Sequence, residues 1–386
     1  MRRAKDIIFF IGLMLAYSGA VAQNKIDNIA WTTAAKLPAG PAGVFTGVSN
    51  DVLLVAGGSN FADGAMPWQG GKKLHYDEVF ALRQSGGKFV WLKPATRYLQ
   101  QKIAYGASVT VGNKVVCVGG ETETAKSCNR AFTMYWSDEK HDVVFTDLPS
   151  LPIPIANACM TNIGNKVHLI GGETEGVPSN KVFVLDMNAA APHWQTLPDL
   201  PVAMSHSVAV TQNNGRYLCI YVIGGRSSTP SGISELHHNA FCFDPVNQKW
   251  LELSPVSDGK VTNLSAATGV AIGKNDILII GGDRGDIFHR IETYNAEIAN
   301  ATDLKQKERL QAEKIELLTH HPGFSRDVLL YNTFTNKWKK IGVLPFFGHV
   351  TTTAVIWDKG IYIPGGEIKP GVRTADVIKG ELYRSY

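Results

Sequence analysis

Cysteine is scarce in this chain, and spacings typical of metal sites are missing. Five cysteines occur in 386 residues, and none belongs to a CxxC motif or to a Cys/His spacing that would bind zinc. The sequence therefore predicts no metal site and no cofactor. Cys117, Cys219 and Cys242 lie inside apolar strand patterns, where a thiol packs as a small hydrophobic group. We expect buried free cysteines rather than a disulfide framework.

The chain also lacks a strong charge of either sign. Lysine and arginine total 38, aspartate and glutamate total 34, and the formal net charge is +4. This balance gives no support for binding to nucleic acid or to an anionic membrane surface. Outside the N-terminus, every apolar run has only the length of a strand, so no membrane span is expected in the mature protein.

The N-terminus has the features of a secretory signal peptide. Basic residues at positions 2, 3 and 5 precede an apolar run over 7–17, and an A-x-A cleavage site occupies 20–22. We therefore expect residues 1–22 to be removed on export, which leaves residues 23–386 as the folded protein. No cysteine follows the cleavage site, so a lipid anchor there is not expected.

Two sequence marks recur six times each. Apolar strands end in Gly-Gly at 57–58, 119–120, 171–172, 224–225, 281–282 and 365–366. An aromatic residue followed by Leu-Pro or a similar pair recurs out of phase, at Trp31, Trp91, Phe145, Trp194, Trp250 and Trp338. Four short antiparallel strands repeated at about 50 residues are typical of a kelch repeat, which forms one blade of a β-propeller. The sequence therefore predicts an all-β, six-bladed kelch-type β-propeller.

The phase of the two marks predicts how the ring closes. The aromatic strand at Trp31 precedes every Gly-Gly pair, and no aromatic strand follows the last pair. We therefore expect the N-terminal strand around residues 31–37 to complete blade six beside ADVIKGELY at the C-terminus. This arrangement joins the two chain ends in one sheet and removes exposed strand edges.

An insertion separates the last two Gly-Gly pairs. Residues 290–319 contain no glycine or proline, and their apolar residues fall partly on a three-to-four spacing. The segment predicts one or two helices after the Gly-Gly strand of blade five. It is either a solvated excursion that packs on the propeller, or a lid or subunit contact, so a homodimer stays an open alternative.

Polar residues on one face of the propeller are the candidate site residues. The loops after the Gly-Gly strands and the loops before the inner strands share this face around the central channel, so their side chains converge. After the Gly-Gly pairs the candidates are Asn60, Glu121, Glu173, Arg226, Asp283, Arg284 and Glu367. Before the inner strands they are Asn157, His206, Ser265 and His349. Any one of these residues is more often a loop hydrogen-bonding group than a catalyst.

The loop of blade six stands apart from the others. Glu367 and Arg373 lie six positions apart around a Pro-Gly turn, so an acid and a guanidinium can point into one pocket. The residues alone leave open whether the two form a structural salt bridge or a functional pair.

This loop also carries a family resemblance. GGEIKPGVRTADV resembles the G-E-x-K-P-G-x-R-T signature of the N-acetylneuraminate mutarotases, kelch propellers of the sialic acid pathway, and residues 57–82 resemble a second signature of that family. The resemblance spans all six blades. The Glu/Arg blade lies mid-chain in the better-known members and last here, as in the cyclically permuted branch. Because the ring is closed, moving the termini preserves the order of the blades.

The resemblance implies a periplasmic enzyme that interconverts the α and β anomers of N-acetylneuraminate. Ring opening needs a proton removed from the anomeric hydroxyl and a proton supplied to the ring oxygen, which a carboxyl group can shuttle. Glu367 is the implied acid/base group, and Arg373 is implied to hold the substrate carboxylate bidentately. The remaining candidates for substrate contacts are Asn60, Glu121, Glu173, Arg226, Arg284 and His349.

Other functions remain as alternatives. A non-catalytic kelch module that binds a glycan or a protein is the main one, since fold does not determine function. A sialidase is disfavoured because the S-x-D-x-G-x-x-W motif is absent and no three arginines stand out as a carboxylate clamp. A copper radical oxidase would need a Tyr–Cys pair with two histidines and a second tyrosine, and no such set stands out.

Overall fold

Six four-stranded antiparallel sheets form a ring in the computed structural model, which describes residues 26–384. The chain completes five sheets in order and returns to its own N-terminal strand in the sixth. The predicted all-β, six-bladed propeller is therefore confirmed. The predicted signal peptide, residues 1–22, lies outside the described residues.

Short strands make up most of the secondary structure. The first half of the chain contributes β1(Ile26–Lys36), β2(Phe45–Ser49), β3(Val52–Ala56), β4(Ser59–Phe61), β5(Lys73–His75), β6(Val79–Ser85), β7(Lys88–Leu92), β8(Ala107–Val111), β9(Lys114–Val118), β10(Ala131–Ser137), β11(Asp142–Asp147), β12(Cys159–Ile163), β13(Lys166–Ile170), β14(Glu173–Thr174), β15(Val177–Pro178) and β16(Val182–Asp186). The second half contributes β17(Trp194–Leu197), β18(Val208–Asn213), β19(Leu218–Ile223), β20(Arg226–Ser227), β21(Glu235–Leu236), β22(Ala240–Asp244), β23(Lys249–Glu252), β24(Thr268–Ile272), β25(Asp276–Ile280), β26(Asp327–Asn332), β27(Lys337–Val343), β28(Val355–Trp357), β29(Gly360–Pro364), β30(Glu367–Lys369), β31(Val372–Arg373) and β32(Asp376–Arg384).

Each blade begins with an inner strand at the central channel. From the inner strand outwards the blades are β2-β3-β6-β7, β8-β9-β10-β11, β12-β13-β16-β17, β18-β19-β22-β23, β24-β25-β26-β27 and β28-β29-β32-β1. Four of the loops after the Gly-Gly strands carry an additional two-stranded hairpin, namely β4–β5, β14–β15, β20–β21 and β30–β31. Residues of these hairpins form much of the candidate site.

Burial on both faces explains why the Gly-Gly strands read as continuous apolar runs. Every residue of β3 is fully buried. Val52 and Leu54 pack against blade two, whereas Leu53 and Val55 pack against blade six, because alternate side chains of a strand point to opposite faces. Burial of one such side chain contributes about 1.5–3 kcal/mol. The same double burial holds adjacent blades together around the ring.

Tryptophans of the outer strands add polar ties between blades. The indole nitrogen of Trp250 in blade four donates a hydrogen bond to the carbonyl oxygen of Pro198 in blade three, at 2.9 Å. Equivalent bonds run from Trp91 to Lys36, from Trp194 to Pro149 and from Trp338 to Ser254. The recurring aromatic mark therefore connects each of these outer strands to the blade before it.

Two helices occupy the insertion in blade five. The helices α1(Asp286–Asn300) and α2(Leu304–Thr319) lie between β25 and β26, so the helical segment begins before the predicted residue 290. No helix within residues 26–384 has the length and apolar character needed to cross a membrane.

All five cysteines are free thiols, and the predicted burial of Cys117, Cys219 and Cys242 is confirmed. Cys117, Cys159, Cys219 and Cys242 are buried, and Cys128 is half-buried.

A ring of backbone hydrogen bonds closes the mouth of the central channel. One residue of each blade lies at this mouth. Its backbone N–H donates to the carbonyl oxygen of the equivalent residue in the preceding blade, at N···O distances of 2.7–3.4 Å. All six residues have positive φ, between 52° and 69°. We call them the mouth ring: Gly43, Tyr105, Asn157, His206, Ala266 and Thr351. For residues other than glycine this conformation costs about 1–2 kcal/mol each, so the closed ring must enforce it.

The N-terminal strand closes the ring as predicted. β1 pairs with β32, with Trp31 opposite Gly380, and Ile29 joins the core between blades five and six. A deletion of residues 26–36 would leave β32 as an unpaired edge and open that core. We expect the deleted protein to aggregate or to melt at a much lower temperature than the intact chain in thermal unfolding.

A peptide of residues 26–36 added in trans is the matched control for this deletion. It should restore part of the lost melting temperature, because it can pair again with β32. A soluble deletion variant with an unchanged melting temperature would contradict the closure argument.

Candidate active site

Each blade places the first residue after its Gly-Gly pair at an equivalent point of the channel face. This residue forms an antiparallel bridge with the residue that precedes the mouth-ring member of the same blade. The six residues at this position are Ser59, Glu121, Glu173, Arg226, Asp283 and Glu367. Five of the six are charged, so one backbone register brings charges from five blades around a single cavity mouth.

The hairpin of blade six explains why a glutamate and an arginine flank a Pro-Gly turn in the sequence. Glu367 in β30 and Arg373 in β31 are direct cross-strand partners, so their side chains lie beside each other. Gly366, with φ of 100°, precedes the hairpin, and a Cβ there would lie 2.8 Å from the carbonyl oxygen of Val350. Only glycine allows this approach, which places the hairpin directly over the mouth ring.

Glu367 and Arg373 are both largely buried. Their side chains are 16% and 4% exposed, and Nη2 of Arg373 lies 3.5 Å from Oε2 of Glu367. The backbone N–H of Gly371 donates to Oε1 of Glu367 at 2.7 Å. Burial raises the pKa of Glu367 above its ordinary value, although Arg373 and the bond from Gly371 oppose that rise. A raised pKa makes this carboxyl group easier to protonate than an ordinary glutamate, which favours a role in proton transfer.

The guanidinium of Arg373 has unused donors. Its Nη2 donates to the hydroxyl of Tyr105 at 2.7 Å, and its plane lies 4.7 Å from the ring centre of Phe61. Nε and Nη1 are buried and find no acceptor within residues 26–384. Buried donors without a partner cost about 1–3 kcal/mol each, which an anion bound at these atoms would recover. Arg373 therefore has two donors, Nε and Nη1, left to bind a ligand in addition to its salt bridge with Glu367.

A cavity of 360 Å³ lies above the mouth ring, a volume suited to a small ligand. Its floor is formed by the mouth-ring residues of blades two to six. Its charged lining consists of Lys73, Glu121, Arg226, Asp283 and Glu367, and its apolar lining includes Phe288, Ile291 and Phe324. Arg373 does not line the cavity itself, but it contacts Glu367 and Tyr105, which do. The cavity therefore has a charged side and an apolar side, the latter built by the insertion of blade five.

The surroundings of Glu121 favour its ionised form, whereas the surroundings of Glu367 favour the neutral form. Its Oε1 accepts hydrogen bonds from Lys73 and from Nε2 of His75, the latter at 2.8 Å. Burial opposes ionisation of Glu121, but these two bonds outweigh it and lower the pKa of the carboxyl. Glu121 is therefore a fixed anion in the same cavity where Glu367 is poised to titrate.

A chain of hydrogen bonds links side chains of blades three and four at one side of the cavity, which we call the far wall. Ser205 donates to Oε1 of Glu173 at 2.5 Å and lies 2.8 Å from Nδ1 of His206. Nη2 of Arg226 lies 3.2 Å from Nε2 of His206, and the guanidinium stacks 4.8 Å from the ring centre of Phe288. Because arginine only donates, His206 carries its proton on Nδ1. Burial, followed by the charge of Arg226, lowers the pKa of His206 well below its ordinary value, so this imidazole is neutral.

Four predicted substrate contacts lie outside the cavity lining, namely Asn60, Glu173, Arg284 and His349. The carboxylate of Glu173 accepts hydrogen bonds from Ser205 and Asn157. Asn60 bonds to the carbonyl oxygen of Gly40, and Arg284 pairs with Asp258 and Asp327. Both follow the bridging residue by one position, and alternate residues of an extended segment point to opposite sides. His349 is buried two positions before its mouth-ring residue, and its Nδ1 lies 2.7 Å from the carbonyl oxygen of Gly365. Ser59 rather than Asn60 is the counterpart of Glu367 in blade one.

Several residues near the cavity were missed from the sequence. Lys73 and His75 lie inside residues 57–82, but they belong to β5, the second strand of a hairpin, far along the chain from the Gly-Gly pair. Tyr105 occupies the same position of its blade as Asn157 and His206. A register alignment of the six inner strands could have found Tyr105, whereas nothing in the sequence indicates that Phe288 reaches the cavity.

No group of three or more His, Cys, Asp or Glu side chains within the described part of the chain is arranged to hold a metal ion.

Fold and site together define a six-bladed kelch-type propeller with a buried carboxyl–guanidinium pair beside a cavity at the channel mouth. A profile of the N-acetylneuraminate epimerase family matches residues 15–143 and 148–385. This chain belongs to that family.

Individual relatives are more distant and match over a shorter region. An N-acetylneuraminate epimerase of Haemophilus influenzae (strain PittEE) is 25% identical over 234 residues, which cover 61% of this chain and 59% of that protein. One from Salmonella typhi is 28% identical over 236 residues, which cover 60% of this chain and 57% of that protein. The matched region thus spans less than two thirds of the length of these relatives.

The raised pKa of Glu367 predicts a pH-dependent stability. Burial disfavours the charged form in the folded state, so the contribution of Glu367 is complete below its unfolded pKa, near 4.5, and is lost as pH rises through the folded pKa. Compared with Glu367→Gln, the wild type should lose free energy of unfolding above pH 4.5, by about 1.4 kcal/mol for each pH unit between the two pKa values. Urea unfolding at a series of pH values measures this difference. A wild type that gains stability relative to the variant over that range would contradict the raised pKa.

Proposed function

We propose that this protein is a mutarotase that interconverts the α and β anomers of N-acetylneuraminate. The observation that carries the proposal is the buried pair of Glu367 and Arg373, held side by side on one hairpin beside the cavity. Membership of the N-acetylneuraminate epimerase family supports the choice of sugar. The basic and apolar N-terminus with its A-x-A site supports a periplasmic location.

Glu367 moves the proton of the anomeric hydroxyl. As a carboxylate it accepts this proton while the bond between the anomeric carbon and the ring oxygen breaks, and it returns a proton when the ring closes on the other face. Its raised pKa brings the two protonation states closer in free energy at neutral pH, which is the condition for efficient acid–base catalysis. Such assistance is typically worth about 10²–10⁴-fold.

Arg373 binds the carboxylate that sialic acid carries on its anomeric carbon. Its Nε and Nη1 are the two unused donors, and a planar guanidinium can hold a carboxylate through two parallel hydrogen bonds. Because both nitrogen atoms are buried, the hairpin or Phe61 must shift to admit the ligand. Catalytic contacts of this kind often tighten only when substrate is bound.

This anchor also orients the rest of the sugar. The acylamino group lies across the pyranose ring from the anomeric carbon, so it points away from Arg373. Arg226 and Phe288 line the cavity from blades four and five, whereas Arg373 belongs to the hairpin of blade six. We place the acylamino group on their side of the cavity, where Arg226 can donate to its carbonyl oxygen while Phe288 packs against its methyl group.

Magnetisation-transfer NMR of N-acetylneuraminate distinguishes this enzyme from a non-catalytic binding module. The mutarotase increases the exchange rate between the two anomeric signals in proportion to protein concentration. A binding module shifts or broadens the signals without faster exchange, and that result would overturn the proposal.

Glu367→Gln tests the acid/base role. Glutamine has nearly the same shape and can still accept the bond from Gly371, but it does not exchange a proton at neutral pH. We expect a folded variant that binds the sugar and loses about 100-fold or more of the exchange rate. Glu121→Gln is the matched control, because it makes the same change in a carboxyl group that is held ionised, and its loss should be much smaller. Equal exchange rates in Glu367→Gln and wild type would remove Glu367 from the mechanism.

Arg373→Lys tests the carboxylate anchor. Lysine keeps the charge but lacks the planar pair of donors, so exchange of the sugar acid should fall by at least about tenfold. The methyl ester of N-acetylneuraminate has no carboxylate and serves as the matched substrate. Its exchange should change much less, and an equal loss for acid and ester would show that Arg373 acts only on the fold of the site.

A further inference from the structure

We propose that Tyr105 is a second catalytic residue, which transfers the proton at the ring oxygen while Glu367 transfers the proton at the anomeric hydroxyl. This role rests on the proposed mutarotase function. Ring opening changes the protonation of two oxygen atoms on one carbon, and a separate group for each oxygen allows both transfers in one step.

The hydrogen bonds of Tyr105 leave its own proton available. Its phenol oxygen accepts from Nη2 of Arg373 at 2.7 Å and from the hydroxyl of Ser59 at 2.9 Å. A phenol oxygen has room for two such donors in addition to its own O–H. Among the residues that the structure describes, none accepts the proton of Tyr105, and Tyr105 lines the cavity. The O–H group can therefore turn towards a ligand.

Tyr105 and Glu367 share one nitrogen of Arg373. Nη2 lies 2.7 Å from the phenol oxygen and 3.5 Å from Oε2 of Glu367. The two oxygen atoms are thus placed around a single cation, as needed to reach two oxygens bonded to the same carbon. The ammonium of Lys73 also lies 4.5 Å from the ring centre of Tyr105. These cations stabilise the negative charge that develops on the phenol oxygen as its proton leaves.

The backbone holds Tyr105 at this point. It is a mouth-ring residue with φ of 58°, donates to the carbonyl oxygen of Gly43, and accepts from the N–H of Asn157. A Cβ at position 43 would lie 2.7 Å from Cδ1 of Tyr105, so the glycine leaves the space that the aromatic ring occupies. A non-glycine residue in this conformation is strained, and such strain persists where the surroundings enforce it.

The proposed steps balance in atoms and charge. On opening, the carboxylate of Glu367 takes the proton of the anomeric hydroxyl, Tyr105 gives its proton to the ring oxygen, and the bond between that oxygen and the anomeric carbon breaks to leave a ketone. On closure, the phenolate removes the proton from the new hydroxyl as its oxygen attacks the other face of the ketone. Glu367 then returns its proton to the former ketone oxygen, so both residues recover their starting states.

Tyr105→Phe tests this role because it removes only the hydroxyl. We expect exchange at saturating sugar to fall by about 100-fold or more, with binding retained, and to fall equally for N-acetylneuraminate and its methyl ester. The equality follows from the action of Tyr105 on the ring oxygen, which both substrates share. Ser59→Ala is the control, since it removes one donor to the phenol but leaves the proton, and its loss should be much smaller.

Each contrary outcome has a distinct meaning. An active wild type with Tyr105→Phe at the same exchange rate would overturn the role of Tyr105 and leave the mutarotase function intact. A loss confined to the acid would show that Tyr105 only positions Arg373, which also overturns the catalytic role. A wild type that does not speed exchange would overturn the proposed function and this inference together.

Discussion

The mouth ring is the constraint on which the site depends. Six backbone hydrogen bonds link one residue of each blade to the next around the channel, and all six residues take positive φ. Five of them are not glycine, so the ring holds a backbone conformation that an open chain would avoid. The ring persists only if every blade is present, which couples the pairing of β1 with β32 on the outer edge to the geometry at the centre. The residue after each Gly-Gly pair forms a β-bridge beside this ring. The charged side chains at this position are therefore spaced regularly around the channel.

Environment, rather than residue type, separates the glutamates of the cavity. Glu121 accepts hydrogen bonds from Lys73 and His75, and its pKa falls despite burial. Glu367 has a backbone donor and a cation at 3.5 Å, and burial outweighs both, so its pKa rises. One fold therefore holds a permanent anion and a titratable acid in one pocket. An acid–base reaction in the cavity can use this division, because one carboxyl group stays charged while the other takes up a proton more easily.

The fold was largely predictable because its signals are local and repeated. The Gly-Gly pairs marked the blades, and the position of Trp31 before all of them indicated the closure. The pair of Glu367 and Arg373 was also predictable, because a hairpin brings together residues six positions apart. Asn60 and Arg284 were misplaced because a shift of one position along a strand turns a side chain to the other face. Tyr105 contacts Arg373 from 268 positions away, a proximity that only the closed ring creates.

A crystal structure of the protein with N-acetylneuraminate bound tests the central claim most directly. We expect the sugar in the cavity above the mouth ring, with its carboxylate on Nε and Nη1 of Arg373. The anomeric hydroxyl should lie within hydrogen-bonding distance of Glu367, and the ring oxygen should lie within the same distance of Tyr105. A sugar bound with its anomeric carbon on the opposite wall, beside His206 and Arg226, would contradict the account.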